Sequence, residues 1–167
     1  MTSTQNKILG HDEIQHKIKR IAYQIYETFV EEDEIIIAGI AKGGLDFAKK
    51  LQQTFNEIAD IKTTICEVVI DKQNPLAPIS TSLDKTAYQN KAIVLADDVL
   101  NTGGTLIYGV KHFLNVPLKK FKTVVLVDRN HKKYPIKADF KGISLSTSLQ
   151  EHVEVVFEEN NDAVFLH

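Results

Sequence analysis

The sequence predicts an α/β fold: a parallel central sheet with helices on both faces, followed by a small C-terminal hood. Two observations predict it. Short apolar, β-branched runs at Ile35–Ile40, Thr64–Ile70, Lys91–Ala96 and Thr123–Val127 alternate with segments whose apolar residues recur at helical spacing. Such alternation gives parallel strands whose crossover helices cover both faces. Past Asp128 the pattern changes to shorter pieces, Tyr134–Ala138, Ile143–Ser146 and Val153–Phe157, which look like an appended subdomain.

In order along the chain, Ile14, Ile18, Ile21, Ile25 and Phe29 mark the apolar stripe of a first helix, with Lys17, Lys19, Arg20 and Glu27 between them. Asp12 followed by Gln15 resembles a capping box that opens it, and the acidic stretch Glu31–Glu34 ends it. Ile35–Ile40 is the first buried strand. Leu45, Ala48, Leu51, Phe55 and Ile58 return to helical spacing, and Thr64–Ile70 is the second strand. Asp71–Asn90 carries Pro75, Pro78, Ser80, Thr81 and Ser82 with little apolar periodicity, and reads as a long loop covering a site. Lys91–Ala96, a helix over Gly103–Asn115, and Thr123–Val127 complete the alternation. The chain is read as a single domain over 1–167, with a flexible loop at about 71–90 and a hood at about 129–160.

Composition excludes several classes. At 167 residues the chain suits one core, which buries roughly 70% of the unfolded surface at this size. The formal net charge of −2 argues against a protein that works by blanketing nucleic acid, although a local basic face is compatible with it. Cys66 is the lone cysteine, so neither an internal disulfide nor a cysteine metal cage is expected, and its apolar neighbours place it in the core. No apolar run approaches the length of a membrane span, and polar Met1–Asn6 has no signal-like hydrophobic stretch. A cytoplasmic protein without membrane contact is expected.

The chemistry is expected at the carboxyl ends of the parallel strands, where ligands bind in open sheets. Three such ends carry unusual residues: Ala41–Gly44, Asp97–Thr105 and Asp128–His131. The strongest signal is the run from Val94 to Leu106, in which a buried strand meets Asp97-Asp98 and then Val99, Leu100 and Asn101-Thr102-Gly103-Gly104-Thr105. Adjacent carboxylates repel and are costly to desolvate unless sugar hydroxyls or a cation satisfy them. The glycines let backbone N–H groups approach a phosphate, and the threonines add hydroxyl donors at a helix N-terminus. Acids for a diol followed by a phosphate nest describe a ribose 5-phosphate site. A second strand end, Ala41-Lys42-Gly43-Gly44, supplies a cation and a turn that permits close backbone approach.

The Val94–Leu106 run resembles the phosphoribosyl pyrophosphate (PRPP) signature of type I phosphoribosyltransferases: a hydrophobic strand, two acidic residues and a Thr-Gly-x-Thr loop. The resemblance implies the fold of that family. It also implies that Asp97 and Asp98 meet the ribose hydroxyls, that Asn101, Thr102, Gly103, Gly104 and Thr105 hold the 5-phosphate, and that Ala41, Lys42, Gly43 and Gly44 form the pyrophosphate loop. Asp97, Asp98 and Lys42 are the expected catalytic residues. Magnesium is the expected cofactor, arriving with PRPP, and Asp97 and Asp98 are the acids it could touch. Lys72 and Lys85 are the cations that the covering loop could bring.

Asn101 cannot ionise, so it cannot serve the proton-accepting role that an aspartate plays there in members acting on 6-oxopurines. The segment Val125–Gly142, with Asp128-Arg129-Asn130-His131 and Tyr134-Pro135-Ile136-Lys137-Ala138-Asp139-Phe140, is similar to the hood of the branch of bifunctional pyrimidine-operon attenuators and uracil phosphoribosyltransferases. That implies uracil as acceptor, a nucleoside monophosphate product, Val127, Asp128 and Arg129 beside the base, and a homodimer or higher homo-oligomer. The branch carries Thr-Arg-Gly where this chain has Lys42-Gly43-Gly44, and arginine where it has Gly104, so cations are missing from the diphosphate region. The branch also binds a messenger-RNA leader. Lys17, Lys19, Arg20, Lys132, Lys133, Lys137 and Lys141 are the residues for such a face, set against the reading that they form a solvated surface balanced by acids.

Overall fold

Positions 6–167 are described in the computed structural model, and the residues before Asn6 lie outside the described residues, including most of the polar N-terminal stretch read above. The chain opens with a short strand, β1 (Asn6–Leu9), which the sequence reading did not contain because four residues carry no periodicity. Helix α1 (His11–Thr28) buries Ile14, Ile18, Ile21, Ala22 and Ile25 along the predicted stripe. Its N-cap lies two residues before the expected Asp12: Gly10 is extended there, and the Glu13 carboxylate accepts from the Gly10 N–H at 3.2 Å. Gln15 is instead drawn off to Asp162, donating to its Oδ2 at 2.7 Å.

Strand β2 (Glu34–Ile40) leads into α2 (Gly43–Ile58), and β3 (Lys62–Val69) follows. Asp71–Asn90, read as a loop, contains β4 (Ser80–Thr81) and a one-turn helix, α3 (Lys85–Tyr88), capped by Asp84, whose Oδ1 accepts from the Ala87 N–H at 3.0 Å. Tyr88 anchors that turn: it is buried and meets Phe113 edge-on at 5.0 Å between centroids. Next come β5 (Ala92–Leu100), α4 (Gly104–Phe113) and β6 (Lys120–Asp128). The predicted third strand stops at Ala96, whereas β5 runs on through the acid pair. Val99 and Leu100 are held in it by pairing with Val127 and Asp128 of β6.

Six strands form the main sheet in the order β4-β3-β2-β5-β6-β7, with β7 spanning Phe140–Ser144; every pair is parallel except β3 with β4. Helices α1 and α2 seal one face through a core that includes Ile14, Ile21, Phe47, Leu51 and Val94. Helix α4 and Tyr88 seal the other with Ile40, Cys66, Leu95, Leu106 and Phe113. Cys66 is buried there, and burial pushes its thiol pKa up.

The C-terminal part differs from the expected appended subdomain. Strand β7 joins the main sheet beside β6, which Gly142 permits, since a Cβ there would stand 2.5 Å from the Leu126 carbonyl oxygen. Tyr134–Ala138 forms no strand. What does stand apart is a three-stranded antiparallel sheet, β1-β9-β8, in which β8 (Val153–Val156) and β1 flank β9 (Ala163–Leu166). Among the described residues no helix is long and apolar enough to cross a membrane.

Candidate functional site

Three strand ends converge. The carboxyl end of β2 turns through Ala41 and Lys42 into α2, with the Ala41–Lys42 peptide cis and the Ala41 N–H donating to the Val68 carbonyl at 2.8 Å. Beside it, β5 carries Asp97 and Asp98, and beyond that β6 ends at Asp128.

The glycines of the first turn are required by the acid pair. A Cβ on Gly43 would stand 2.0 Å from the Asp98 Oδ2, and one on Gly44 would stand 2.8 Å from the Ala96 carbonyl oxygen and 2.9 Å from the Asp97 Cα. The close approach that these glycines permit is thus made by β5 itself, which sets the Lys42 turn and the two carboxylates side by side. Lys42 is solvent-exposed at the start of α2.

Asp97 is buried and Asp98 half-buried. The Asp97 Oδ1 accepts from the Asp98 N–H at 2.9 Å, and the Asp98 Oδ1 accepts from the Val99 N–H at 2.9 Å. Burial, then the neighbouring Asp98 charge, hold the Asp97 carboxyl well above the usual carboxylate range, while the Lys72 charge pulls the other way. Lys72 and Asp97 both line a cleft whose other walls include Asn101, Thr102, Gly103 and Thr105. The predicted loop lysine is therefore at the site. Lys85 is elsewhere, on α3 near His112, whose pKa is lowered by burial and by the Lys85 charge.

The turn after β5 is built for close approach. Gly103 has φ 88°, a left-handed conformation that side-chain-bearing residues rarely adopt, and a Cβ there would also meet the Ile136 Cγ2 at 2.7 Å. The Gly104 N–H donates to the Thr102 Oγ1 at 3.2 Å and opens α4. The next N–H groups of the first helical turn have no acceptor within the helix, so they are available to an anion. Behind the turn, the Thr102 carbonyl accepts from the N–H groups of Lys133 and Tyr134 at 2.8 and 3.1 Å. The Tyr134 ring lies where a Gly104 side chain would go, 3.2 Å from an ideal Cβ. These contacts of Tyr134 and Ile136 had no signal in the sequence beyond their place in a segment resembling a hood.

At the end of β6, Val127 is fully buried in the core under α1 and α2. Asp128 is buried, accepts from the Asn130 N–H at 2.9 Å and lies 3.5 Å from the Lys132 Nζ. Arg129 turns its guanidinium to Asn101 and to the loop after β7. His131 contacts the Thr147 carbonyl through its Nε2.

An acid pair at the carboxyl end of a parallel strand thus stands beside a lysine turn and ahead of a glycine turn that opens the next helix. The chain belongs to the phosphoribosyl transferase domain family, whose profile matches residues 4–160. Within that family it is similar to proteins named bifunctional protein PyrR. The one from Haemophilus ducreyi is 33% identical over 156 residues, covering 89% of this chain and 87% of the relative. That of Fusobacterium nucleatum is 32% identical over 160 residues, covering 91% and 90%. Among solved structures, the hypoxanthine phosphoribosyltransferase of Trypanosoma cruzi superposes with a TM-score of 0.76 at 17% identity, over 95% of both chains. A hypoxanthine-guanine phosphoribosyltransferase from Bacillus anthracis gives 0.71 at 22% identity, over 84% of this chain and 82% of that one. At those identities the structural likeness is one of fold.

Proposed function

We propose that this protein transfers the 5-phosphoribosyl group of PRPP to a nucleobase, with uracil first among the acceptors, and releases pyrophosphate. The observation that carries the reading is the seating of the Asp98 carboxylate against the Gly43 Cα. It joins the acid pair and the Lys42 turn into one site, as a substrate bearing a ribose diol next to a diphosphate requires. The Asn101–Thr105 turn at the start of α4 would take the 5-phosphate. Asp97 and Asp98 would accept from the ribose hydroxyls, and Lys42 would offset charge developing on the leaving pyrophosphate. Lys72, in the same cleft, would close over the reacting centre and help exclude water.

Magnesium fits as a companion of the substrate. Among the described residues no group of three or more His, Cys, Asp or Glu is gathered to hold an ion, while the paired acids can take one that arrives on the diphosphate. When bound, it supplies Lewis-acid stabilisation of the diphosphate oxygens. Uracil is favoured over 6-oxopurines by Asn101 in place of an ionisable acid and by the similarity to PyrR proteins. Asp128 and Arg129 would bound the acceptor side, Arg129 through the Asn101 amide that it holds, whereas the Val127 side chain is buried in the core and could offer a base only its backbone.

A leader-RNA role has less support. Arg20 commits its guanidinium to the Lys141 and Gly142 carbonyls at 3.0 and 2.8 Å, and Lys132 faces Asp128, so part of the basic set is engaged within the fold. The deciding assay is pyrophosphate release from PRPP across uracil, orotate, adenine, guanine, hypoxanthine and xanthine, for the parent and the double variant Asp97→Asn/Asp98→Asn. Release with uracil that vanishes in the double variant is expected. Equal turnover by both proteins would remove the assignment.

A further inference from the structure

Arg129 is a buried cation that makes no ion pair among the described residues, its chain neighbour Asp128 lying instead against Lys132. It is only 8% exposed, and its guanidinium donates from Nε to the Thr147 Oγ1 at 3.1 Å, from Nη1 to the Asn101 Oδ1 at 3.0 Å, and from Nη2 to the Ser148 and Glu151 carbonyls at 3.2 and 2.6 Å. All four acceptors are neutral oxygens. Among the described residues no carboxylate lies within ion-pair distance of Arg129, and the Glu151 carboxylate accepts from the Ser148 N–H instead. A guanidinium removed from water retains its charge, because it does not lose its proton at any ordinary pH. Buried charges are costly unless paired, so this one calls for a counter-ion that the polypeptide does not provide.

Its position says where that counter-ion sits. Arg129 follows the last residue of β6, and its own N–H donates to the Leu100 carbonyl at the end of β5 at 3.1 Å. The guanidinium then grips Asn101, the first residue of the turn whose next residues, Thr102, Gly103 and Thr105, line the cleft read as the phosphate site. Because arginine only donates, the Asn101 amide must face it with oxygen, and the residue is fixed in one orientation. We infer that Arg129 is a positioning residue of the phosphate subsite: it locks the entrance of the turn and supplies, from behind, the positive charge that a bound 5-phosphate neutralises. This rests on the reading of Asn101–Thr105 as the 5-phosphate loop.

The test is calorimetric binding of ribose 5-phosphate to the full chain at low and high salt, for the parent, Arg129→Gln and Arg129→Lys, with melting curves for each. Arg129→Gln is expected to weaken binding roughly tenfold or more at both low and high salt, because a unit charge has left a low-dielectric position near the phosphate, where salt screens little. Arg129→Lys keeps a cation there but loses the fork of hydrogen bonds that holds Asn101, so its affinity should fall between those of the parent and Arg129→Gln. A merely structural arginine would lower the melting temperature in both variants and leave the affinity of the folded protein unmoved. Parent-like affinity in Arg129→Gln overturns the inference, as does an equal loss in Arg129→Lys. If the glutamine variant does not fold, Arg129→Lys decides together with Thr147→Val, which removes one bond and leaves the charge. A tenfold loss in Thr147→Val, or an unchanged affinity in Arg129→Lys, overturns the inference. Failure of the parent itself to bind ribose 5-phosphate would instead sink the functional reading beneath it.

Discussion

Replacing Gly43 with alanine separates stability from function at this site. The new Cβ would stand 2.0 Å from the Asp98 Oδ2 and 2.6 Å from its Cγ, so the carboxylate must retreat by at least about 1 Å to reach a tolerable contact. What yields is the far end of a side chain, and Asp98 is half-buried beside a cleft, so its rotation costs little, on the order of 1 kcal/mol. Gly43 opens α2 without a positive φ, and alanine there gains about 0.5–1 kcal/mol over glycine in helix and chain-entropy terms. The two effects cancel to within about 1 kcal/mol, which leaves the melting temperature near that of the parent. Catalysis has no such compensation. An acid displaced by about 1 Å from its working position can lower turnover by about 100-fold. The assay is pyrophosphate release at saturating PRPP, read beside a thermal melt. Gly44→Ala is the control, since its Cβ meets the backbone at Ala96 and Asp97, which cannot swing away, and it should lose about 1–3 kcal/mol of stability. A Gly43→Ala protein that melts and turns over like the parent would show that the Asp98 position is irrelevant to the chemistry.

Asp97→Asn should raise the melting temperature at neutral pH while abolishing PRPP turnover. In the folded protein Asp97 binds its proton more tightly than in the unfolded chain, so stability is full below the unfolded pKa near 3.8 and falls as pH rises toward the folded value. Asparagine removes that loss, and a gain of about 1 kcal/mol or more at pH 7 that disappears near pH 4 is the expected signature in melts at the two pH values. Asp162→Ala should cost about 3–5 kcal/mol in urea unfolding. The fully buried carboxylate accepts from Gln15 at 2.7 Å and from the Glu158 N–H at 3.0 Å, and pairs with Lys50 at 3.2 Å, so its removal strands several partners. A loss below about 1 kcal/mol would show that water replaces those contacts.

Features governed by local pattern were legible in the sequence. The stripe from Ile14 to Ile25 and the run from Ile35 to Ile40 obey periodicities that burial enforces, and both became α1 and β2 with shifts of a residue or two at their ends. The acid pair and its turn were legible as chemistry, because Asp97-Asp98 with Thr102–Thr105 is an unusual sequence for a buried strand end. Features governed by distant partners were not. Nothing near Val99 and Leu100 announces that β5 continues, since β6 decides it through their pairing with Val127 and Asp128. Lys-Gly-Gly could be read as making room for a ligand, but only the assembled sheet shows the room taken up by Asp98 and Ala96. The grip of Arg129 on Thr147 and Glu151 was not legible either, because it depends on a loop that β7 brings back beside β6.

The strand order of the small sheet has a kinetic consequence. Its middle member is β9, and Asn6 finds its partner in Leu166, almost the whole length of the polypeptide away. Neither flanking strand has another neighbour in that sheet, so clipping Ala163–Leu166 would dismantle it altogether instead of trimming an edge. Contacts so remote in sequence carry the largest closure entropy and tend to consolidate late. Strands β1 and β9 therefore clasp one another only after the parallel strands between them have been assembled.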